Sequence, residues 1–415
     1  MIGLNKIKFF KICSILLALM VVFIIGESIL RISILYKSSI LKGTKDVFNL
    51  YQHDEFLGWK GKPKVKEWMN NGIQNYFVQH NSEGFRDRNY QMTKKIPRIV
   101  ILGDSFTWGF GVEAHQRFSN ILERDYFNNR VEVINLGICG YGTDQEYLML
   151  KNYGFSYNPD LVILMFQISS DLIENMSSVQ YKQNKPYYIF KNGNLTLKKN
   201  SLSKQTNNSC QDITESSAKN IVGSIKSVLR GMKLYLLVVT KIRQNCLWLS
   251  DVLIKIGVME PYPILKPDNG LYIFNQYYST EWEEGWNVTK ALIKKIKYDA
   301  SLKKIKFVLV LIPDNLQVDG SEFNDFIKTY RSEKSLIDID KPNTILSRFA
   351  KRNNIYVLDL LPAFRYVANE GEKTYFRIYD RHWNNNGHAL AAKFIYDYIV
   401  EKDDIFNSIN KTRDE

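Results

Sequence analysis

The sequence predicts an α/β fold built on a parallel sheet, and three observations predict it. Five short runs, RIVILG (98–103), VEVINLG (131–137), LVILMFQ (161–167), KFVLVLIP (306–313) and IYVLDLLP (355–362), are almost continuously apolar. Continuous apolarity, as opposed to alternation, is what strands buried on both faces require. Helical periodicity lies between them, at about 116–127, 143–153, 281–302 and 343–352, and strands alternating with helices imply right-handed crossovers. The runs also end in small and polar residues: Gly103-Asp104-Ser105, Asn135-Leu136-Gly137, Ser169-Ser170-Asp171 and Pro313-Asp314-Asn315. Ligands of open parallel sheets bind at those carboxyl ends.

The elements follow in order. In residues 1–35, Lys6, Lys8 and Lys11 precede an apolar run from Ile12 to Gly26. With Lys11 snorkelling, Phe9 to Leu30 is long enough to cross a bilayer. A cleaved signal peptide has the same charged start, with Gly26 and Ser28 at its small positions; the missing A-x-A pattern and apolar residues as far as Leu35 favour an uncleaved anchor. The basic start then stays cytoplasmic and the remaining chain is exported. Residues 36–96, with Gly and Pro punctuation, read as a stalk and flanking segment of loops and short strands. The sheet domain occupies 97–180 and 304–403 around an insertion, 181–303, too long for one crossover. Within the insertion, Asn192-Gly193 between alternating segments signals a hairpin. The apolar, basic stretch from Lys219 to Val258 is open to packing on the sheet domain, lying on a membrane, or binding an envelope-assembly partner. The tail, 404–415, is polar.

With 415 residues, 45% of them hydrophobic and 24% charged, the chain can bury a sizeable core. The formal charge is +13, and residues 1–66 hold eleven Lys/Arg against four Asp/Glu. That excess beside the anchor suits an anionic bilayer surface. No nucleic-acid-binding module is recognisable, so nucleic acid is not an expected partner. Four cysteines, Cys13, Cys139, Cys210 and Cys246, form no zinc pattern; Cys210 and Cys246 are candidates for a disulfide in an oxidising compartment. GICGYG places its glycines at 137, 140 and 142, which is not the dinucleotide fingerprint. No cofactor and no metal is expected. The aromatic residues of 271–286 suit either core packing or a sugar-stacking wall.

A serine becomes a useful nucleophile when a base takes its proton and a third group fixes that base. Of five histidines, His382 alone has an aspartate, Asp380, two residues before it, just ahead of a helical stretch whose Leu390, Ala391, Phe394, Ile395, Tyr398 and Ile399 form a buried stripe. Asn385 or Asn386 is placed to cap that helix, and His388 reads as a helix-start or surface residue.

These blocks resemble, in order, those of the SGNH (GDSL-type) hydrolases, most closely a membrane-anchored branch that includes polysaccharide O-acetyltransferase-like members. The resemblance covers about residues 50–400 and includes NSEGFRD, GYGTDQEYLML and NPDLVIL. It implies a flavodoxin-like three-layer α/β/α domain with a five-stranded parallel sheet. It implies Ser105 as nucleophile, His382 as base and Asp380 as its orienting acid, with the spacing Asp-x-His in place of the commoner Asp-x-x-His. The oxyanion would be held by the N–H groups of Ser105 and Gly137. The third block departs from the family: Ser170 stands where an asparagine amide usually donates. The implied function is that of an esterase or O-acyltransferase working through an acyl-serine on acylated cell-envelope or exopolysaccharide glycans. The alternative is a non-catalytic glycan-binding or assembly protein whose oxyanion hole has decayed, and Ser170 is the residue that favours it.

Overall fold

A computed structural model describes residues 47–198, 270–330, 336–376, 381–402 and 404–405, and parts of 11–33 and 235–259. The chain divides into two units. One comprises Met1–Gly43, Asn207–Ile264 and Ile327–Arg331; the other, Thr44–Thr206, Leu265–Phe326 and Ser332–Glu415, carries the sheet.

The five apolar runs are its strands: β1 (Arg98–Leu102), β2 (Glu132–Asn135), β3 (Leu161–Gln167), β4 (Lys306–Ile312) and β5 (Tyr356–Asp359). They lie in the order β2-β1-β3-β4-β5 and all pair in parallel, with Val100 opposite Ile134 and Val162, and Val308 opposite Ile163 and Tyr356. Every residue of β1 and β3 is buried, which is why these segments read as unbroken apolar runs. Arg98 and Gln167 are the exceptions in kind; the Arg98 guanidinium pairs with Glu132 at 2.5 Å and donates to the Tyr157 carbonyl.

The helices include α1 (Ser105–Trp108), α2 (Phe118–Ile121, extended by a π turn at Leu122–Tyr126), α3 (Thr143–Asn152), α4 (Asp171–Asn175), α5 (Thr280–Leu302), α6 (Lys341–Arg352), α7 (Leu361–Asn369) and α8 (Asn385–Val400); Asn315–Val318 and Gly320–Tyr330 are also helical. Alternation along the strands splits the core. Ile99, Ile101, Ile163, Met165, Val308 and Val310 face Phe118 of α2, Phe364 of α7, Trp383 just before α8 and Ile395 of α8. On the other face α3 packs on β1 and α5, α5 on β4, and α6 on β5. The order of the strands reverses between β1 and β3, and that switch point is where α1 and α4 begin.

Two antiparallel hairpins, Tyr51–Asp54 with Gly58–Gly61 and Lys66–Asn70 with Asn75–Gln79, precede the sheet. The Asn192-Gly193 hairpin forms between Tyr187–Lys191 and Asn194–Lys198; both turn residues have positive φ, 52° and 76°, the geometry an Asn-Gly turn supplies. Trp282 and Trp286 are core residues, whereas Tyr277 is exposed.

In the other unit, Leu247–Lys255 is helical. The placed residues of 11–33 are helical with exposed apolar side chains such as Ile15, Leu17 and Val22. No helix among the described residues is long and apolar enough to cross a membrane. Cys246 is free, while Cys210 and Cys13 lie outside the described residues.

Candidate active site

Ser105 stands at the first position of α1, immediately after β1. The turn needs Gly103: its φ is +158°, and a Cβ there would meet Thr107 Oγ1 at 2.1 Å. Asp104 caps the helix, its Oδ1 accepting from Phe106 N at 2.8 Å, so the N–H of Ser105 carries no protein partner among the described residues.

The far end of α1 is held by a buried cation. Arg86 donates to the carbonyls of Trp108 (3.2 Å), Gly109 (2.5 Å), Val112 (2.7 Å) and Phe77 (3.1 Å), and its guanidinium lies 4.6 Å from the Trp108 ring centre. A positive charge on the last carbonyls of a helix is favourable. Burial, and after it Arg117, lowers the Arg86 pKa to about 10, which leaves it charged. Arg86 comes from NSEGFRD, so that flanking block acts by fixing the turn that presents Ser105.

His382 reaches the same point from the other end of the chain. Ser105 Oγ and His382 Nε2 are 2.6 Å apart, across 277 residues of sequence. The His382 ring sits between Phe106 and Phe110, each with its centroid 4.8 Å away. Its loop is pinned to the preceding segment by Phe376 N donating to His382 O (2.9 Å) and Asn384 N to Thr374 O (3.0 Å). Trp383, fully buried, packs against Phe364, Phe106 and Phe118. Truncating such a core tryptophan typically costs about 3–5 kcal/mol, so core packing fixes the imidazole's position. The helix cap is Asn384, whose side chain accepts from Gly387 N at 3.1 Å, in place of the expected Asn385 or Asn386. His388 is buried in α8, not at the surface: its Nδ1 accepts from Phe118 N, and burial, then the Arg117 and Arg86 charges, lower its pKa to about 3, keeping it neutral. Asp380 lies outside the described residues.

The predicted oxyanion donors fare differently. The Gly137 N–H donates to Asn135 Oδ1 at 3.0 Å, so the expectation that it faces an oxyanion meets a donor already occupied. Gly137 is needed for another reason: a Cβ would lie 2.6 Å from Trp108 N. Three residues on, the N–H of Gly140 makes no hydrogen bond among the described residues. Ser170 heads α4, with its hydroxyl 2.8 Å from Gln167 Oε1 and 3.3 Å from Asp104 Oδ2. Gln167 braces the start of α4: its Oε1 accepts from Ser169 N, Ser170 N and Ser170 Oγ, and its Nε2 donates to Ser169 Oγ.

Sequence reasoning missed a set of buried carboxylates. Asp104, Asp144, Glu146, Asp171 and Glu174 are all buried, and the buried Lys185 pairs with Asp144. Burial raises the pKa of each; for Glu146, Asp171 and Glu174 the neighbouring carboxylates add to the rise. Asp104 is pushed up to about 6 by burial, against the Phe106 N–H, His382 and Ser170. Among the described residues no group of three or more His, Cys, Asp or Glu could hold a metal ion.

No protein-family model matches the chain and no curated protein does. Its neighbours among solved structures include acetyl xylan esterases and lipolytic proteins of the G-D-S-L family. The acetyl xylan esterase AlAXEase is 15% identical, with a TM-score of 0.37 over 73% of this chain and 99% of its own. A member of the G-D-S-L lipolytic family from Veillonella parvula DSM 2008 is 14% identical, with a TM-score of 0.35 over 74% and 99%. A catalytic mutant of an acetylxylan esterase from Geobacillus stearothermophilus is 12% identical, with a TM-score of 0.37 over 74% and 96%.

Proposed function

We propose that the chain is a serine esterase or O-acyltransferase of the SGNH type. The observation that carries this reading is the 2.6 Å contact between Ser105 Oγ and His382 Nε2, made at the carboxyl end of the sheet by residues from its two halves. In the mechanism, Ser105 attacks an ester carbonyl while His382 takes its proton; the imidazolium then protonates the leaving alkoxide, giving an acyl-serine. Water or a sugar hydroxyl, deprotonated by His382, releases the acyl group, and the choice between them separates esterase from acyltransferase. Asp380 orients His382. The oxyanion is held by the N–H of Ser105 and, in place of Gly137, that of Gly140. The substrate, an acylated envelope or exopolysaccharide glycan, follows from the resemblance of the sequence blocks. So does the setting: an anchor at residues 1–35 with the catalytic unit outside the cytoplasm, supported by Lys6, Lys8 and Lys11 before the apolar run.

One experiment tests both. A membrane-impermeant fluorophosphonate applied to intact cells should label Ser105, as mapped by mass spectrometry. Labelling only after lysis would refute the exported location. No labelling of Ser105 in either case would favour the non-catalytic reading, to which the occupied Gly137 N–H also lends weight.

Ser170 offers a graded test. Its hydroxyl points at the Asp104 cap beside the nucleophile, and an asparagine there would add the amide donor this site lacks. Ser170→Asn is expected to raise kcat on a short-chain aryl ester, with about 3 kcal/mol as the ceiling for one oxyanion donor. A folded Ser170→Asn protein with lower kcat would place position 170 away from the oxyanion.

A further inference from the structure

We infer that the cleft between α5 and α6 binds an anionic glycan chain, at a site separate from Ser105. The cleft, about 380 Å³, is lined by Lys290 of α5 and by Ile345, Arg348, Phe349 and Arg352 of α6. Lys294, one turn along from Lys290, stands 5.7 Å from the Phe349 ring centre. Four cations thus surround a floor of one aromatic and one aliphatic side chain.

None of the four makes an ion pair or a hydrogen bond among the described residues. The acids of these elements are engaged or distant. Asp299 accepts from Lys295 and Tyr147, Asp340 pairs with Arg365, and Asp359 accepts from Asn343 and Leu361 N. Glu281 and Glu283 lie in the first turn of α5 and Glu284 follows it, about 9 Å or more along the helix from Lys290. Below the cleft, Lys297 donates to the Asn353 and Asn354 carbonyls at the end of α6, adding to the positive field. Lys290 is half-buried, and burial lowers its pKa with no anion to offset the loss of water. Charge of one sign gathered along a cleft concentrates counter-ions of the other, and an anionic ligand would restore the balance.

The shape selects the ligand class. Ile345 and Phe349 are recessed between the cations and half-buried, so they do not project far enough to enter a bilayer. A lone phosphate would leave that floor unused. A glycan with carboxylate substituents uses both parts: a sugar's C–H face stacks on Phe349 while its carboxylates meet Lys290 and Lys294 on one wall and Arg348 and Arg352 on the other. Each pair is spaced at i, i+4, about 6 Å along its helix, close to one sugar residue.

The inference does not depend on the esterase reading, and its test reads binding alone. Full-length protein in a non-ionic detergent is titrated with a short oligogalacturonate and with an uncharged malto-oligosaccharide of the same length, at low and at physiological ionic strength. The oligogalacturonate should bind, more weakly as salt rises, and the malto-oligosaccharide should not. Lys290→Ala with Arg348→Ala should weaken binding about tenfold, the loss of one half-buried and one exposed charge contact. Lys351→Ala, which removes a lysine from the outer side of α6, should change it less than about twofold. Thermal melts confirm that the variants are folded. Equal binding by the double variant and the wild type would overturn the proposal, as would an equal loss in Lys351→Ala. Cleft-dependent binding to phosphatidylglycerol vesicles with none to oligogalacturonate would overturn it in favour of a membrane contact.

Discussion

Ser105→Ala is expected to lower turnover of a short-chain aryl ester by at least about 10³-fold while leaving the melting temperature close to that of the wild type. The hydroxyl's one described partner is His382 Nε2, and a single part-buried hydrogen bond contributes about 0.5–1.5 kcal/mol. Everything else that shapes the turn survives the substitution: Gly103, the Asp104 cap and the Arg86 bonds to Trp108 and Gly109 are made by other atoms. Loss of rate without loss of fold therefore isolates the nucleophile. His382→Ala should cost a similar factor, and the double variant little more than either alone, because groups that act as a unit are not additive. Wild-type kcat in purified Ser105→Ala would refute the assignment outright.

The five strands were legible because burial on both faces leaves a signal in one dimension: nearly every position of LVILMFQ must be apolar. The pairing of Ser105 with His382 was legible as the order of sequence blocks that resemble a family, with Gly103 and Trp383 supplying the turn and the wedge. What escaped was set by side-chain direction. Nothing in VINLG shows that Asn135 folds its Oδ1 onto the Gly137 N–H, a contact made after the chain has left β2. TDQE at 143–146 reads as a polar helix start, yet all four residues are buried. The reason is that other segments cover it: Gln145 Nε2 donates to the Leu57 carbonyl of the flank, and Asp144 meets Lys185 of the insertion. Local polarity predicts exposure only when no distant segment arrives with a complementary group.

That last contact carries the second large effect. Lys185→Met should destabilise the sheet unit by about 3–5 kcal/mol at pH 7, the usual result of leaving a buried carboxylate without its partner. Both side chains are fully buried, and Lys185 is the ion that opposes the rise in the Asp144 pKa caused by burial. The sign of the pH dependence follows from linkage. Burial already holds the Asp144 pKa of the folded wild type above its unfolded value, and without Lys185 it rises further, so the deficit grows as pH climbs through the interval between the two folded pKa values. Below that interval Asp144 is protonated in both folded proteins and the deficit should shrink, because the variant gains more than the wild type when the buried carboxylate takes up its proton. Asp104, raised to about 6 by burial, adds a background common to both proteins: each gains stability as pH falls from 6 toward 4. The measurement is melting temperature against pH for the wild type, Lys185→Met and Lys185→Met with Asp144→Asn. The double variant should recover most of the loss at pH 7, since the asparagine can still accept from Gln145 N and no longer needs a cation. A pH-independent deficit, or a double variant no more stable than the single one, would mean that Lys185 acts through packing and not through its charge.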